Sequence, residues 1–182
     1  MTKVYIFLAD GFETVEALCV VDMLRRASIS VETVSMMPSR QVESAQKVSV
    51  MTDCLYSERD FQDADLLILP GGMPGTTHLQ EDSRLSELLI AHNKKEKLVA
   101  AICAAPSVLG KLNILSGKRA CCYPGYEEML LGAKVTMQDV TIDKNVITSR
   151  GMGTSIPFAA AIIEALSSKE QSKEILNKIQ YK

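Results

Sequence analysis

Short apolar runs alternate along this chain with longer stretches in which apolar residues recur at helical spacing. That order predicts a mainly parallel sheet with helices packed on both faces. Val4 to Ala9 reads as the first strand and Thr14 to Ala27 as the first helix. Glu13 and Glu16 fall in that helix's first turn and Arg25-Arg26 in its last, the signs that a helix dipole favours. Ile29 to Met36 is a second strand, and residues 41–55 read as short edge strands. Ala64 to Leu69 is a buried strand stopped by Pro70-Gly71-Gly72. Ser83 to Lys94 is helical, with Leu85, Leu88 and Leu89 on one face. Leu98 to Ile102 is a further buried strand, leading into a helix-compatible stretch from Ala104 to Leu109. Lys118 to Cys122 reads as a strand. Val140-Thr141-Ile142 and Val146-Ile147-Thr148 flank Asp143-Lys144-Asn145 as a hairpin. The largely apolar Thr154 to Leu166 and the amphipathic Ser172 to Ile179 are the last two helices. No repeat, linker or low-complexity tract interrupts the 182 residues, so a single domain over 1–182 is expected.

Composition removes several function classes. A formal net charge of −2 argues against a nucleic-acid-binding surface. The longest apolar stretch, Leu98 to Gly110, is too short to cross a bilayer and contains Pro106. The apolar start is broken by Asp10-Gly11 before any cleavage site, so it reads as a strand and not as a leader. The five cysteines, Cys19, Cys54, Cys103, Cys121 and Cys122, show no CxxC spacing, and a reduced, cytoplasmic protein is expected. Cys121 and Cys122 read as neighbours pointing to opposite faces of a strand. Histidines and cysteines lack ligand spacing, so neither a metal nor a cofactor is expected.

The candidate chemistry starts at Cys103. It sits between the run ending Ala101-Ile102 and the stretch beginning Ala104-Ala105-Pro106. A thiol on such a strand-to-helix turn projects at the carboxyl edge of a sheet, as a nucleophile elbow does. The position also faces the positive end of a helix dipole, so a helix-stabilised thiolate is expected.

Three glycine-containing loops follow strands: Asp10-Gly11-Phe12, Pro70-Gly71-Gly72-Met73-Pro74-Gly75 and Arg150-Gly151-Met152-Gly153. In a parallel sheet they converge on the carboxyl edge. None has the glycine spacing of a nucleotide loop. Gly75 and Gly151 read as tight turns. Gly71 and Gly72 admit two readings, a structural turn or backbone N–H groups forming an anion hole beside the thiol. Glu16 likewise either serves the helix dipole or faces Cys103. An ionised carboxylate opposes a thiolate, so the second role requires a protonated Glu16, which burial favours. A cysteine hydrolase needs a histidine base. His78 is placed in the loop after Gly75 and His92 on an exposed helix face, and neither follows Cys103.

Four segments together resemble a known family. Ala101-Ile102-Cys103-Ala104-Ala105-Pro106, Leu69 to Gly75, Thr148 to Thr154 and Glu13-Thr14-Val15-Glu16 with Val21 to Arg26 are similar to signatures of the ThiJ/PfpI superfamily, and more narrowly of its DJ-one branch. The resemblance covers nearly the whole chain, in order. It implies a flavodoxin-like three-layer α/β sandwich and a homodimer, with Val15, Leu18 and Val21 of the first helix compatible with an interface or with a core. It implies that Cys103 is the oxidisable nucleophile and Glu16 its protonated partner. Gly71, Gly72 and the amide of Ala104 would form the anion pocket, and Tyr123, Pro124, Arg150 and Gly151 would line the approach.

The implied function is a stress-response protein acting on small reactive carbonyls, of glyoxalase or deglycase type and without a cofactor. The alternative is a cysteine-sulfinate sensor of peroxide, or a chaperone; a cysteine peptidase or amidotransferase is the weakest reading. Thiazole monophosphate synthesis, also attached to this branch, draws no support from the residues. One departure bears on chemistry: many relatives place a histidine where this chain has Tyr123-Pro124-Gly125. A phenol donates a hydrogen bond more readily than it takes a proton at neutral pH.

Overall fold

The computed structural model describes residues 2–182. The elements run β1 (Lys3–Leu8), α1 (Thr14–Arg26), β2 (Ser30–Ser35), β3 (Gln41–Glu43), β4 (Ser49–Met51), β5 (Cys54–Leu55), β6 (Leu66–Leu69), α2 (Gly75–Glu81) and α3 (Ser83–Lys94). They continue with β7 (Leu98–Ile102), α4 (Pro106–Lys111), β8 (Arg119–Ala120), β9 (Lys134–Val135), β10 (Val140–Asp143), β11 (Val146–Ser149), α5 (Ser155–Leu166) and α6 (Lys169–Lys178). Seven strands form one sheet in the order β10-β11-β7-β6-β1-β2-β5. All neighbours pair in parallel except β10 with β11.

The strands read as nearly unbroken apolar runs because both sheet faces are covered. Val4, Ile6 and Leu8 of β1 join Ile68 of β6 and Ala100 and Ile102 of β7 in a core with α1, α5 and α6. Tyr5 and Phe7 of β1 join Leu67, Leu69, Val99 and Ala101 in a second core with α3 and α4. Period-two alternation thus feeds two cores, giving the three-layer α/β sandwich expected of a flavodoxin-like fold. Among the described residues, no helix is long and apolar enough to cross a membrane.

Connections from β1 lead to β2 on one side, while β6 lies on β1's other side and leads on to β7. The strand order therefore switches between β1 and β6. Ligands of open α/β sheets bind outside the carboxyl ends of strands at such a switch. The segments after β1, β6 and β7 carry Glu16, Gly71-Gly72 and Cys103.

Three expectations are corrected. The strand expected at Lys118 to Cys122 shrinks to β8, which pairs with β9 outside the main sheet. It ends because the Cys121 N–H turns to Thr148 Oγ1 at 3.0 Å. Cys121 then faces Thr148 while Cys122 enters the second core, and both stay free thiols. His78 lies in a helix, α2, and not in a loop. His92 is 4% exposed, not solvated: its ring Nε2 donates to the Leu98 carbonyl at 3.0 Å.

Candidate active site

Glu13 starts the site. Its side-chain Oε2 accepts the Glu16 N–H at 2.6 Å and caps α1. Its own N–H donates to the Gly71 carbonyl at 2.8 Å. The Gly71 N–H donates back to Glu16 Oε2 at 2.9 Å. The loop after β6 and the first turn of α1 are thereby closed on each other. Glycine is required for this closure. A Cβ on Gly71 would lie 2.6 Å from both Cys103 Cβ and Glu16 Oε2. Gly72 has φ +90, and a side chain there would run into the Glu13 amide.

Cys103 follows β7 with φ +64, left-handed backbone that a non-glycine residue rarely adopts. Such a residue costs about 1–3 kcal/mol unless its surroundings hold it. Here they do: Cys103 N–H donates to the Ser149 carbonyl at 3.0 Å, and its carbonyl accepts the Tyr123 N–H at 2.8 Å. The nucleophile elbow expected from the sequence is therefore present as geometry.

Glu16 is 1% exposed and faces Cys103, the two side chains meeting over Gly71. Burial pushes its carboxyl up to about 7, and the charge of Glu13 adds to the rise. The bonds from Cys103 and the Gly71 amide act against it. Burial, the facing Glu16 charge and the bond to it push the Cys103 thiol up to about 12, while the Ala104 and Gly72 amides pull it down.

Burial and Glu16 therefore work against the expected helix-stabilised thiolate, and the Ala104 and Gly72 amides work for it. Helix α4 begins only at Pro106, and desolvation with Glu16 outweighs the nearby amides. The two groups titrate as a pair. With one proton between them, Cys103 is a thiolate only when Glu16 holds that proton.

Gly71 is corrected too. Its amide is taken by Glu16 Oε2, so the amides that reach the sulfur are those of Gly72 and Ala104. Tyr123, Pro124, Arg150 and Gly151 do come together, lining a cavity of ≈ 400 Å³ with Met152 and Thr154. Gly151 is not a left-handed turn residue. It stands where a side chain would begin 3.2 Å from the Tyr123 ring and 4.0 Å from Glu16 Oε1. That carboxyl oxygen is buried without a hydrogen-bond partner.

Thr154, the last residue of the Thr148 to Thr154 segment, carries no signal of its own in the sequence. Its Oγ1 accepts the Gly151 N–H at 3.1 Å and pairs with Ser149 Oγ at 2.7 Å, so it shapes this wall. No hydrogen bond joins either histidine to Cys103 among the described residues. His78 Nδ1 is buried and unpartnered in α2. His92 is pushed down to about 4 by burial, against its bond to Leu98.

Residues 2–165 match the DJ-1/PfpI family. The chain belongs to that family. Protein dj-1beta of Drosophila melanogaster is 36% identical over 172 residues, 93% of this chain and 92% of that protein. Glutathione-independent glyoxalase DJR-1.2 of Caenorhabditis elegans is 31% identical over 168 residues, 92% of this chain and 89% of that one. The solved structure of oxidized Toxoplasma gondii DJ-1 superposes with a TM-score of 0.95 at 33% identity, covering 100% of this chain and 99% of that chain. Within the DJ-1/PfpI family, then, this chain sets a thiol against a buried carboxyl and puts Tyr123 beside them.

Proposed function

We propose that this chain is a DJ-1-type stress-response protein whose Cys103–Glu16 pair acts on small reactive carbonyls. The carrying observation is Cys103 on a left-handed elbow, facing a buried Glu16 whose Oε1 has no hydrogen-bond partner and whose carboxyl burial pushes up to about 7. Such a carboxyl exchanges protons near neutral pH without a histidine. The similarity to the glutathione-independent glyoxalase of Caenorhabditis elegans supports the substrate class.

With methylglyoxal the steps balance as follows. Glu16 takes the Cys103 proton, and the thiolate forms a C–S bond to the aldehyde carbon. The amides of Gly72 and Ala104 stabilise the oxyanion, and Glu16 returns the proton to it, leaving a hemithioacetal. Glu16 then moves the proton from the sulfur-bearing carbon to its neighbour while the hydroxyl proton passes to the neighbour's carbonyl oxygen, producing a lactoyl thioester. Water hydrolyses the thioester and releases lactate and the free thiol. The test is lactate formation from methylglyoxal by wild type and Cys103→Ser. A loss of at least about 100-fold is expected; equal rates would remove the mechanism.

A second reading uses the same atoms. Peroxide would convert Cys103 to the sulfinate, held by protonated Glu16 and the Gly72 and Ala104 amides. The likeness to an oxidized DJ-1 structure supports it. Intact-protein mass spectrometry after mild peroxide tests it; oxidation of Cys19, Cys54 or Cys121 before Cys103 would exclude it. The proposal places the protein in the cytoplasm as a homodimer, to which Val15, 44% exposed on α1, offers apolar surface. Sedimentation at a monomer's mass would refute that dimer. The peptidase reading gains nothing, since neither histidine is bonded to the thiol.

A further inference from the structure

Glu13 makes no hydrogen bond to Cys103, yet it is tied to both groups that place Glu16. Its carboxylate lies 2.6 Å from the Glu16 N–H, and its N–H holds the Gly71 carbonyl. Gly71 in turn holds Glu16 Oε2. We propose that Glu13 is a positioning residue that biases the proton shared by Cys103 and Glu16 toward Glu16, and so sets how much thiolate the site holds. The inference rests on the reading of Cys103 and Glu16 as a proton-sharing pair and deepens it.

A negative Glu13 beside the first turn of α1 opposes a second negative charge on Glu16. Moving the shared proton onto Glu16 transfers that second charge to the sulfur, across the crevice. The Glu13 charge adds to the rise of Glu16, whose N–H its carboxylate holds, and Glu13 makes no hydrogen bond to Cys103. The groups facing Glu16 are few. Cys103 faces it from the β7 elbow, the neutral Gly71 amide from the β6 loop, and Gly151 with the Tyr123 ring from the β11 side. The dipole of α1 favours an ionised Glu16. Glu13 is the group that counters that dipole.

This arrangement predicts a particular pH–rate curve for Cys103. Below the carboxyl's value both groups hold protons, and thiolate rises with pH. Above about 7 the pair holds one proton and the thiolate fraction levels off. Removing the Glu13 charge stabilises the Glu16 carboxylate alone. The plateau should then fall and the inflection move to lower pH, while the acid limb stays unchanged.

The test uses the full chain and needs no carbonyl substrate. Alkylation of Cys103 by iodoacetamide is followed by peptide mass between about pH 5 and 9 for wild type, Glu13→Gln, Glu13→Ser and Glu13→Asp. Gln keeps an oxygen for the Glu16 N–H, and Ser is a strong cap, so both remove charge and spare the helix end. Both should lower the plateau about three- to tenfold, the effect of up to about one pKa unit. Asp should retain most of the wild-type curve. Neutral variants with the wild-type plateau, or Asp as slow as Gln, would overturn the role of charge. If Gln melts early, Ser carries the comparison. A wild-type curve with no inflection near 7 overturns the shared proton itself, whereas absent lactate formation with this curve intact sinks only the carbonyl reading.

Discussion

Strand β7 has a buried titratable side chain at each end, and the two have opposite fates. At its start, His92 packs with Nε2 donating to the Leu98 carbonyl. Just past its end, Cys103 meets Glu16. Burial is the largest cause of both shifts, driving His92 down to about 4 and Glu16 up to about 7. Yet His92 has a fixed partner and no nucleophile beside it. Glu16 has a thiol on one side and a bare oxygen, Oε1, on the other. A displaced pKa records desolvation first of all and does not by itself mark a site. An unfilled hydrogen-bonding site next to a reactive atom is what separates a site from a packed core.

The strongest way to break this comparison is Glu16→Gln. Glu16 binds its proton more tightly in the fold than its ordinary value of 4.5, so the fold loses stability as pH rises from 4.5 to about 7. Gln removes that loss. Urea unfolding should show a gain of up to about 3 kcal/mol at alkaline pH and little at pH 4.5. Alkylation of Cys103 should lose its plateau near 7 and rise steadily with pH. A variant no more stable than wild type at alkaline pH would contradict a buried, raised carboxyl.

His92→Ala should do the reverse. It removes a buried ring and its bond to the Leu98 carbonyl and should cost about 2–3 kcal/mol at neutral pH, with Cys103 alkylation unaltered. The sign for His92 opposes that for Glu16: its neutral form stabilises the fold above 6.5, and that share is lost as pH falls toward 4. The alanine variant should therefore be less sensitive to acid than wild type. Slower alkylation would mean that the two ends of β7 are coupled.

Gly71→Ala sharpens the contrast from the site's side. Its Cβ must displace Cys103 or Glu16, so about 1–3 kcal/mol of stability and most of the pH-7 alkylation should be lost. Tyr123→Phe is the smallest change. Tyr123 is 50% exposed, and its phenol should be worth less than about 0.5 kcal/mol in thermal unfolding. A larger loss would assign the hydroxyl a bond in the fold.

Much of the frame was legible in the chain because burial on both faces writes itself as apolar runs. Leu98 to Ile102 and Ser83 to Lys94 come out with their observed bounds, the helix helped by the Asp82 cap that accepts the Leu85 N–H at 2.9 Å. Helix α2 was not legible. It opens on Gly75, whose place is dictated by Phe12, since a Cβ would lie 2.7 Å from the Phe12 amide. A glycine that admits a distant backbone looks like a turn residue from sequence. His92 was misplaced for a related reason, because its partner carbonyl belongs to the next strand.

At the site, spacing located the elbow, Glu13 at the head of α1 and Glu16 in its first turn. It carried no measure of desolvation, so it favoured a helix-stabilised thiolate over a shared proton. Nor did it say which way the Gly71 amide points.

The closure through Gly71 has a consequence for time as well as energy. The amide hydrogens of Glu13, Gly71 and Cys103 are held by carbonyl or carboxyl oxygens of other segments, all at the carboxyl ends of central strands. In deuterated water they should exchange only when the sheet itself opens, while exposed loop amides exchange early. The reacting groups would then keep their arrangement for the lifetime of the fold, with adjustment to a bound molecule left to the Tyr123 side.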